Sequence, residues 1–335
     1  MKNLVLLSYG RETEYKRAIM AVLSFWAWYS GQKSDIRTII FTDNPDYFKP
    51  FLPDLNIEYS LLTPQKLEAM LDGKTYIHRR KIAVIDEVFQ SYPTDDLFFI
   101  DSDTFFVADA QPWLQSFAPG KSFMHLLEYS FEDAVNIYSG FNQEKYPKAF
   151  IKLIESKPFT VNHAKEQFNK SQFSWNSGVL GLNKEIAAYM PDVYNLTAEF
   201  FEATGWNISE QLAFSLILQT RTEVLPTEQY VHHYWGQRQK TLIDNILNAT
   251  LNKAFLQLDL TQKLVRVKKL TKQWPDLIKL DKIQERSINS FTDKYVLAGC
   301  KYALLAFAQS PFDFRFMKEL YSLRTKNKNQ LTSSH

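Results

Sequence analysis

The chain has 335 residues, of which 45% are hydrophobic and 15% aromatic, enough for a large buried core and too many for a disordered polymer. Its 39 Lys and Arg nearly balance 37 Asp and Glu, for a formal net charge of +2, so no nucleic-acid partner is expected. The single cysteine, Cys300, excludes an internal disulfide and a multi-cysteine zinc site, and fits a reducing compartment.

In chain order, NLVLLSY (3–9) reads as a strand, ETEYKRAIMAVLSFWAWY (12–29) as an amphipathic helix, and IRTIIFT (36–42) as a second strand closed by the turn DNPDY. NIEYSLL (56–62) follows, then a helix from Pro64, a helix over RRKIAVIDEVFQSY (79–92), and the apolar run Leu97 to Ile100. This alternation predicts an α/β fold with a mostly parallel, Rossmann-like central sheet, whose ligands sit beyond the carboxyl ends of the strands. From about Thr241 the texture turns basic, helix-prone and free of glycine until Gly299, so a boundary is expected near residue 240, with 241–335 a helical C-terminal appendage. The polar tail RTKNKNQLTSSH is expected to fray. The run LVLL is short for a signal-peptide core, and YVLAGCKYALLAFA (295–308) carries Lys301 and falls short of a membrane span. A cytoplasmic, non-spanning protein is the expectation.

Within DDLFFIDSDTFFV (95–107), Asp101 and Asp103 stand one residue apart at the end of a buried strand, with Phe105, Phe106 and Val107 following at once. Carboxylates so spaced can turn their oxygens toward one hard divalent cation, often shared with substrate phosphates. An Asp-rich turn capping the strand is the plain alternative, and the flanking apolar runs favour a site at the sheet edge. His232 and His233 would point to opposite sides of an extended segment. One of them can complete the cation site, or both can pack against Tyr234 and Trp235.

FFIDSDTFF resembles the Asp-x-Asp motif of the GT-A glycosyltransferases, which bind a nucleotide-sugar and a divalent metal on a Rossmann-like sheet. WNSGVLGL (175–182) is similar to the Asn-Ser-Gly stretch that lines the donor sugar, and SEQLAFSLIL (209–218) to the acid-Gln helix start near the acceptor. HHYWGQRQK (232–240) resembles the late His-x-x-Gly-x-x-Lys segment at the metal and diphosphate. Glycogenin-like and bacterial galactosyltransferase-like members are the most similar, over roughly residues 1–240. The resemblance implies a GT-A domain that transfers a sugar from a nucleoside-diphosphate sugar, UDP-sugar foremost, with retention at the anomeric carbon. The acceptor would be a glycan, a lipid-linked molecule or a protein.

The same resemblance implies Mn2+ or Mg2+ at Asp101, Asp103 and His233, whose spacing to Gly236 matches the family. Ser8, Tyr9 and Tyr15 would grip the base, and Ser102 would lie with Asp101 on the donor. Arg80 and Lys81, and later Gly236, Arg238 and Lys240, would face the diphosphate, with Lys240 one residue off the family spacing and Arg238 competing with it. Asn176, Ser177 and Gly178 would meet the sugar, and Asn176, Glu210 and Gln211 are the implied catalytic set, Glu210 standing where the family usually has Asp. Each has a plainer reading: Arg80 and Lys81 as a solvated helix start, Asn176 to Gly178 as a turn, Glu210 as a first-turn acid after the cap Ser209, Tyr9 and Tyr15 as core anchors, Asp43 as turn chemistry.

Rival classes share parts of this pattern. A haloacid-dehalogenase-like phosphatase would want Thr where Phe105 stands, and a sugar nucleotidyltransferase would want a Gly-rich loop where SYGRETEYKRA has a single Gly. A non-catalytic nucleotide-sugar-binding protein on the same fold stays open. Residues 263–284 mix seven Lys and Arg with apolar side chains, which suits either peripheral contact with an anionic membrane at its inner face or packing with the lysines solvated.

Overall fold

A computed structural model describes residues 1–332, with side chains to residue 323. Seven strands make the central sheet: β1 (Lys2–Leu7), β2 (Ile36–Thr42), β3 (Ile57–Leu61), β4 (Asp96–Ile100), β5 (Lys121–Met124), β6 (Val179–Leu182) and β7 (Glu223–Pro226). Their order is β7-β5-β6-β4-β1-β2-β3. The pairs β1·β2, β2·β3, β1·β4 and β5·β7 are parallel, and β6 alone runs against both its neighbours, β4 and β5. The expected mixed α/β architecture with a mostly parallel sheet is therefore present.

The reversed strand has a chemical result. Because β6 runs antiparallel to β4, its start meets β4's end: Val179 pairs with Ile100, and the Asp101 amide donates to the Gly178 carbonyl at 2.9 Å. The Asn176–Gly178 turn is thus joined to the first aspartate by backbone bonding. The apolar run Leu97 to Ile100 is fully buried, as a strand covered on both faces requires.

Two compact units divide the chain. The first comprises Met1–Trp235 and Ile243–Lys268, the second Gly236–Leu242 and the chain from Lys269 onward. In the first, helix Glu12–Trp28 buries the run Ala18 to Leu23, and helix Arg79–Ser91 buries Ile82, Val84 and Ile85. The segment DNPDY holds a short helix, Pro45–Phe48, where a plain turn was expected, because Pro45 at its first turn presets φ and lacks only an N–H that the helix leaves unbonded anyway.

Helix Leu260–Thr292 buries Val267, Trp274 and Ile278 and exposes Lys269, Lys272, Lys279 and Lys282. These three apolar residues are packed and these four lysines face water, whereas Lys263 is buried and donates to the Pro50 carbonyl at 3.0 Å, and Val265 and Leu277 are exposed. The tail expected to fray continues helix Phe314–Thr332, and residues 333–335 lie outside the described residues.

Candidate functional site

Asp101 and Asp103 flank the tight passage from β4 into a short strand, Thr104–Phe106, which pairs antiparallel with Val231–His233. The register sets His233 opposite Thr104 and His232 opposite Phe105, so strand parity separates the imidazoles. His233 turns inward, with Nε2 3.2 Å from Asp103 Oδ1 and 4.0 Å from Asp101 Oδ2, while His232 stacks on Phe105. Ligand atoms of Asp101, Asp103 and His233 all lie within 4.8 Å of one another.

The hydrogen-bond network assigns the imidazole tautomer. Asn176 Oδ1 accepts from the Gly178 amide at 3.0 Å, and Asn176 Nδ2 donates to Glu128 Oε1 at 3.0 Å, which fixes the amide's orientation. Asn176 Oδ1 lies 2.8 Å from His233 Nδ1, so Nδ1 carries the hydrogen and donates. Nε2 then faces both carboxylates, which suits coordination of a cation among the three, and an oriented Nδ1–H is the usual support of a ligating histidine. Gly178 gives the ring its room: a Cβ there would stand 2.1 Å from His233 Nδ1.

Asp101 is the most accessible of the three, its side chain 31% exposed against 9% for Asp103 and 6% for His233. Desolvation pushes its carboxyl pKa up and Asp103 adds to this, while Lys81 and His233 oppose it. Lys81 is buried and three-fold engaged: Nζ donates to Asp101 Oδ2 at 3.1 Å, to the Ser177 carbonyl at 2.7 Å and to Ser177 Oγ at 3.1 Å. It is no solvated helix start. Its neighbour Arg80 donates to the Leu67 carbonyl and to the Tyr9 hydroxyl at 2.9 Å.

On the far side of Ser177 lies the second acid. The Ser177 amide donates to Gln211 Oε1 at 3.2 Å, and its hydroxyl donates to Glu210 Oε1 at 3.4 Å. Glu210 Oε2 accepts from the Tyr76 hydroxyl, which in turn accepts from the Glu210 amide at 3.1 Å. Burial and the carboxylate beside it raise the Tyr76 phenol pKa. Ser209 is not the cap of this helix: Ile208 holds that position, and Ser209 Oγ donates to the Trp206 carbonyl, which removes it from the N-terminal amides. Gln211 Nε2 donates to Glu128 Oε2 at 2.8 Å.

No family model and no curated protein matches the chain. Many solved structures are similar to it, among them these three. One is apo mouse xyloside xylosyltransferase 1, at 12% identity and TM-score 0.42, covering 67% of this chain and 85% of that one. The galactosyltransferase LgtC, in complex with donor and acceptor sugar analogs, has 12% identity and TM-score 0.44, covering 74% and 95%. The glycosyltransferase GlyE of Streptococcus pneumoniae TIGR4 has 11% identity and TM-score 0.46, covering 79% and 63%. At such distances function must be argued from the site itself.

Other expected residues spread around this centre. Ser102 Oγ donates to Glu14 Oε2 at 2.9 Å, and Glu14 pairs with Arg17, which is held by Asp244. Ser8 is buried with no partner for its hydroxyl among the described residues. Tyr15 is buried against Tyr47 and Phe48, and its hydroxyl donates to Asp43 Oδ1 at 2.7 Å, while Asp43 Oδ2 receives the Gly10 amide. Gly236, Arg238 and Lys240 belong to the second unit, where Arg238 is paired with buried Asp281 and with Glu319.

Sequence reasoning passed over Glu128, Tyr76 and His125. Glu128 sits in a short strand, Leu127–Ser130, paired with Phe173–Trp175, which puts its carboxylate under both Asn176 and Gln211. His125 is buried edge-on to His233, and burial, helped by that neighbour, lowers its pKa to about 3. No local pattern marks any of the three.

Proposed function

We propose that this chain is a metal-dependent glycosyltransferase that moves a sugar from a nucleoside-diphosphate sugar, UDP-sugar foremost, to a glycan, lipid-linked or protein acceptor. The observation that carries the reading is the meeting of Asp101, Asp103 and the Nδ1-anchored His233 at the carboxyl end of β4. These three would hold Mn2+ or Mg2+, which when bound neutralises charge on a departing diphosphate. Two carboxylates and one imidazole are a donor set suited to such an ion.

The protein's own groups supply the rest. Lys81 keeps Asp101 and the Ser177 turn in one arrangement, and Asn176 orients the imidazole. Ser8, Tyr9, Tyr15, Ser102, Arg80, Ser177 and Gly178 are proposed on the donor side, as are Gly236, Arg238 and Lys240. Glu210 and Gln211 are proposed at the acceptor. Retention at the anomeric carbon is proposed as part of this reading.

Residues 1–240 are proposed as the transferase domain and 241–335 as its appendage. Among the described residues no helix is long and apolar enough to cross a membrane. We place the protein in the cytoplasm, with peripheral contact at the inner face of the membrane through the second unit. Support comes from exposed Leu297, Leu304, Phe312 and Phe314, with exposed Lys294, Lys301 and Lys318 nearby in sequence, and not from the packed residues of 263–284.

Isothermal titration of a nucleotide-sugar panel with and without Mn2+ tests the central reading. Manganese-dependent binding of a nucleoside-diphosphate sugar is expected, and binding indifferent to divalent ions overturns it. For the membrane contact, salt-sensitive sedimentation with anionic liposomes is expected, and none at low salt refutes it.

A further inference from the structure

The bond that aims His233 joins distant stretches of chain: Asn176 and His233 are 57 residues apart, and Nδ1 meets Oδ1 at 2.8 Å. One hydrogen bond between two side chains fixes a direction only if the backbones that carry them are themselves held together. His125, directly after β5, bonds to both. Its amide donates to the Asn176 carbonyl at 3.0 Å, and the Asn176 amide donates in turn to the Leu126 carbonyl at 2.9 Å. Its Nε2 lies 3.1 Å from the carbonyl of Val231, on the strand that carries His233. A carbonyl only accepts, so Nε2 carries the hydrogen and donates. The His125 carbonyl receives the Thr227 amide at 3.0 Å, at the approach to that strand.

Strand parity makes this side-chain bond necessary. At the two ends of the pairing with Thr104–Phe106, the Tyr230 carbonyl accepts from the Val107 amide and the Tyr234 amide donates to the Asp103 carbonyl. Ladder bonds of an antiparallel pair fall on alternate residues, so Val231 and His233 turn their backbone groups away from that partner. Val231 is buried, and its carbonyl would be an orphaned acceptor without the imidazole. The His125 ring also meets the His233 ring edge-on, with centroids 5.5 Å apart at 87°, and Trp235 at 6.2 Å and 80°. An apolar ring could fill the same space and would not strand Nδ1, which is buried with no partner among the described residues. What the imidazole adds over such a ring is the Nε2–H bond.

We propose that His125 is a positioning residue for the metal centre: by tying the Asn176 turn to the strand that carries His233, it holds His233 Nε2 on Asp101 and Asp103. It stands outside the ligand cluster and touches no ion itself. The inference rests on the metal reading of that cluster and is independent of which donor or acceptor the site takes.

The test is an electron paramagnetic resonance titration of Mn2+ alone, with the visible absorption of bound Co2+ as a second reading of ligand geometry, on full-length protein that melts cooperatively. His125→Phe keeps the ring contacts and deletes the donor; it should weaken Mn2+ binding about tenfold or more and shift the Co2+ bands, as loss of a ligand-orienting group does. His125→Gln offers an amide N–H in the place of Nε2–H and should restore most of both readings. His125→Leu puts the same question with a second donor-less side chain where the phenylalanine variant does not fold. Wild-type affinity and Co2+ bands in a folded donor-less variant overturn the proposal, because a residue that only supports the fold lowers the melting temperature and leaves both readings alone. A folded His125→Gln as impaired as His125→Phe also overturns it, as does failure of both donor-less variants to fold. Wild-type protein that binds neither ion overturns the metal reading and this inference with it, which tells the two failures apart.

Discussion

Asp101 and Glu210 are linked through Lys81 and Ser177 and live in opposite conditions. Asp101 bonds Lys81 through one oxygen, its side chain is 31% exposed, and its other neighbours are a second carboxylate and an imidazole nitrogen. Glu210 is 5% exposed, with one oxygen on Ser177 and the other on Tyr76. An acid that is buried with both oxygens hydrogen-bonded is held in place, whereas one that is partly exposed with a like charge beside it awaits a cation. The same side-chain chemistry, a short distance apart, is an anchor in one place and a ligand in the other.

The sharpest way to break this contrast is Asp103→Asn. It keeps size and removes a charged ligand, so metal-dependent nucleoside-diphosphate binding should fall on the order of a hundredfold or more by calorimetry, with the melting temperature little changed. Glu128→Gln comes next. Its carboxylate accepts from both Asn176 and Gln211, and a glutamine offers a single acceptor oxygen, so one amide must turn and the imidazole loses its fixed partner. Metal affinity should drop about 10–100-fold, as for other groups that orient a ligand.

Tyr76→Phe probes the anchor side. It strips Glu210 of its phenol partner and should lower stability by about 1–3 kcal/mol in a urea titration, with metal affinity unchanged. A loss of metal binding instead would erase the distinction between the two acids. The smallest effect belongs to Ser102→Ala, which removes the link to Glu14 and should cost about 1 kcal/mol in the same assay.

How much of this was legible in the chain follows from how local each signal is. The acid pair announces itself because a buried strand should not end in two carboxylates; strand parity only separates His232 from His233, and the choice of His233 comes from its family-like spacing to Gly236. The helices and strands of the first hundred residues follow from hydrophobic period. Lys81 could be named but its burial could not, since that depends on a turn nearly a hundred residues downstream. Glu128, Tyr76 and His125 left no trace because they reach the site through pairings between distant segments, and nothing in LLEYS or KTYIH distinguishes them from surface residues. The packing of 263–284 was undecidable for the same reason: a helix's apolar side shows in sequence, and what covers it does not.

Gly178 carries a last consequence, for how the chain can change over generations. Any side chain at that position would occupy the space now filled by the His233 ring, with even a first carbon 2.1 Å from Nδ1. Positions 178 and 233 are therefore expected to vary together. A descendant that gains a side chain at 178 must surrender the imidazole first, and one that abandons the imidazole is freed from glycine. Drift at either position alone is a one-way door out of the site, and related sequences should show the two residues kept as a couple or lost as one.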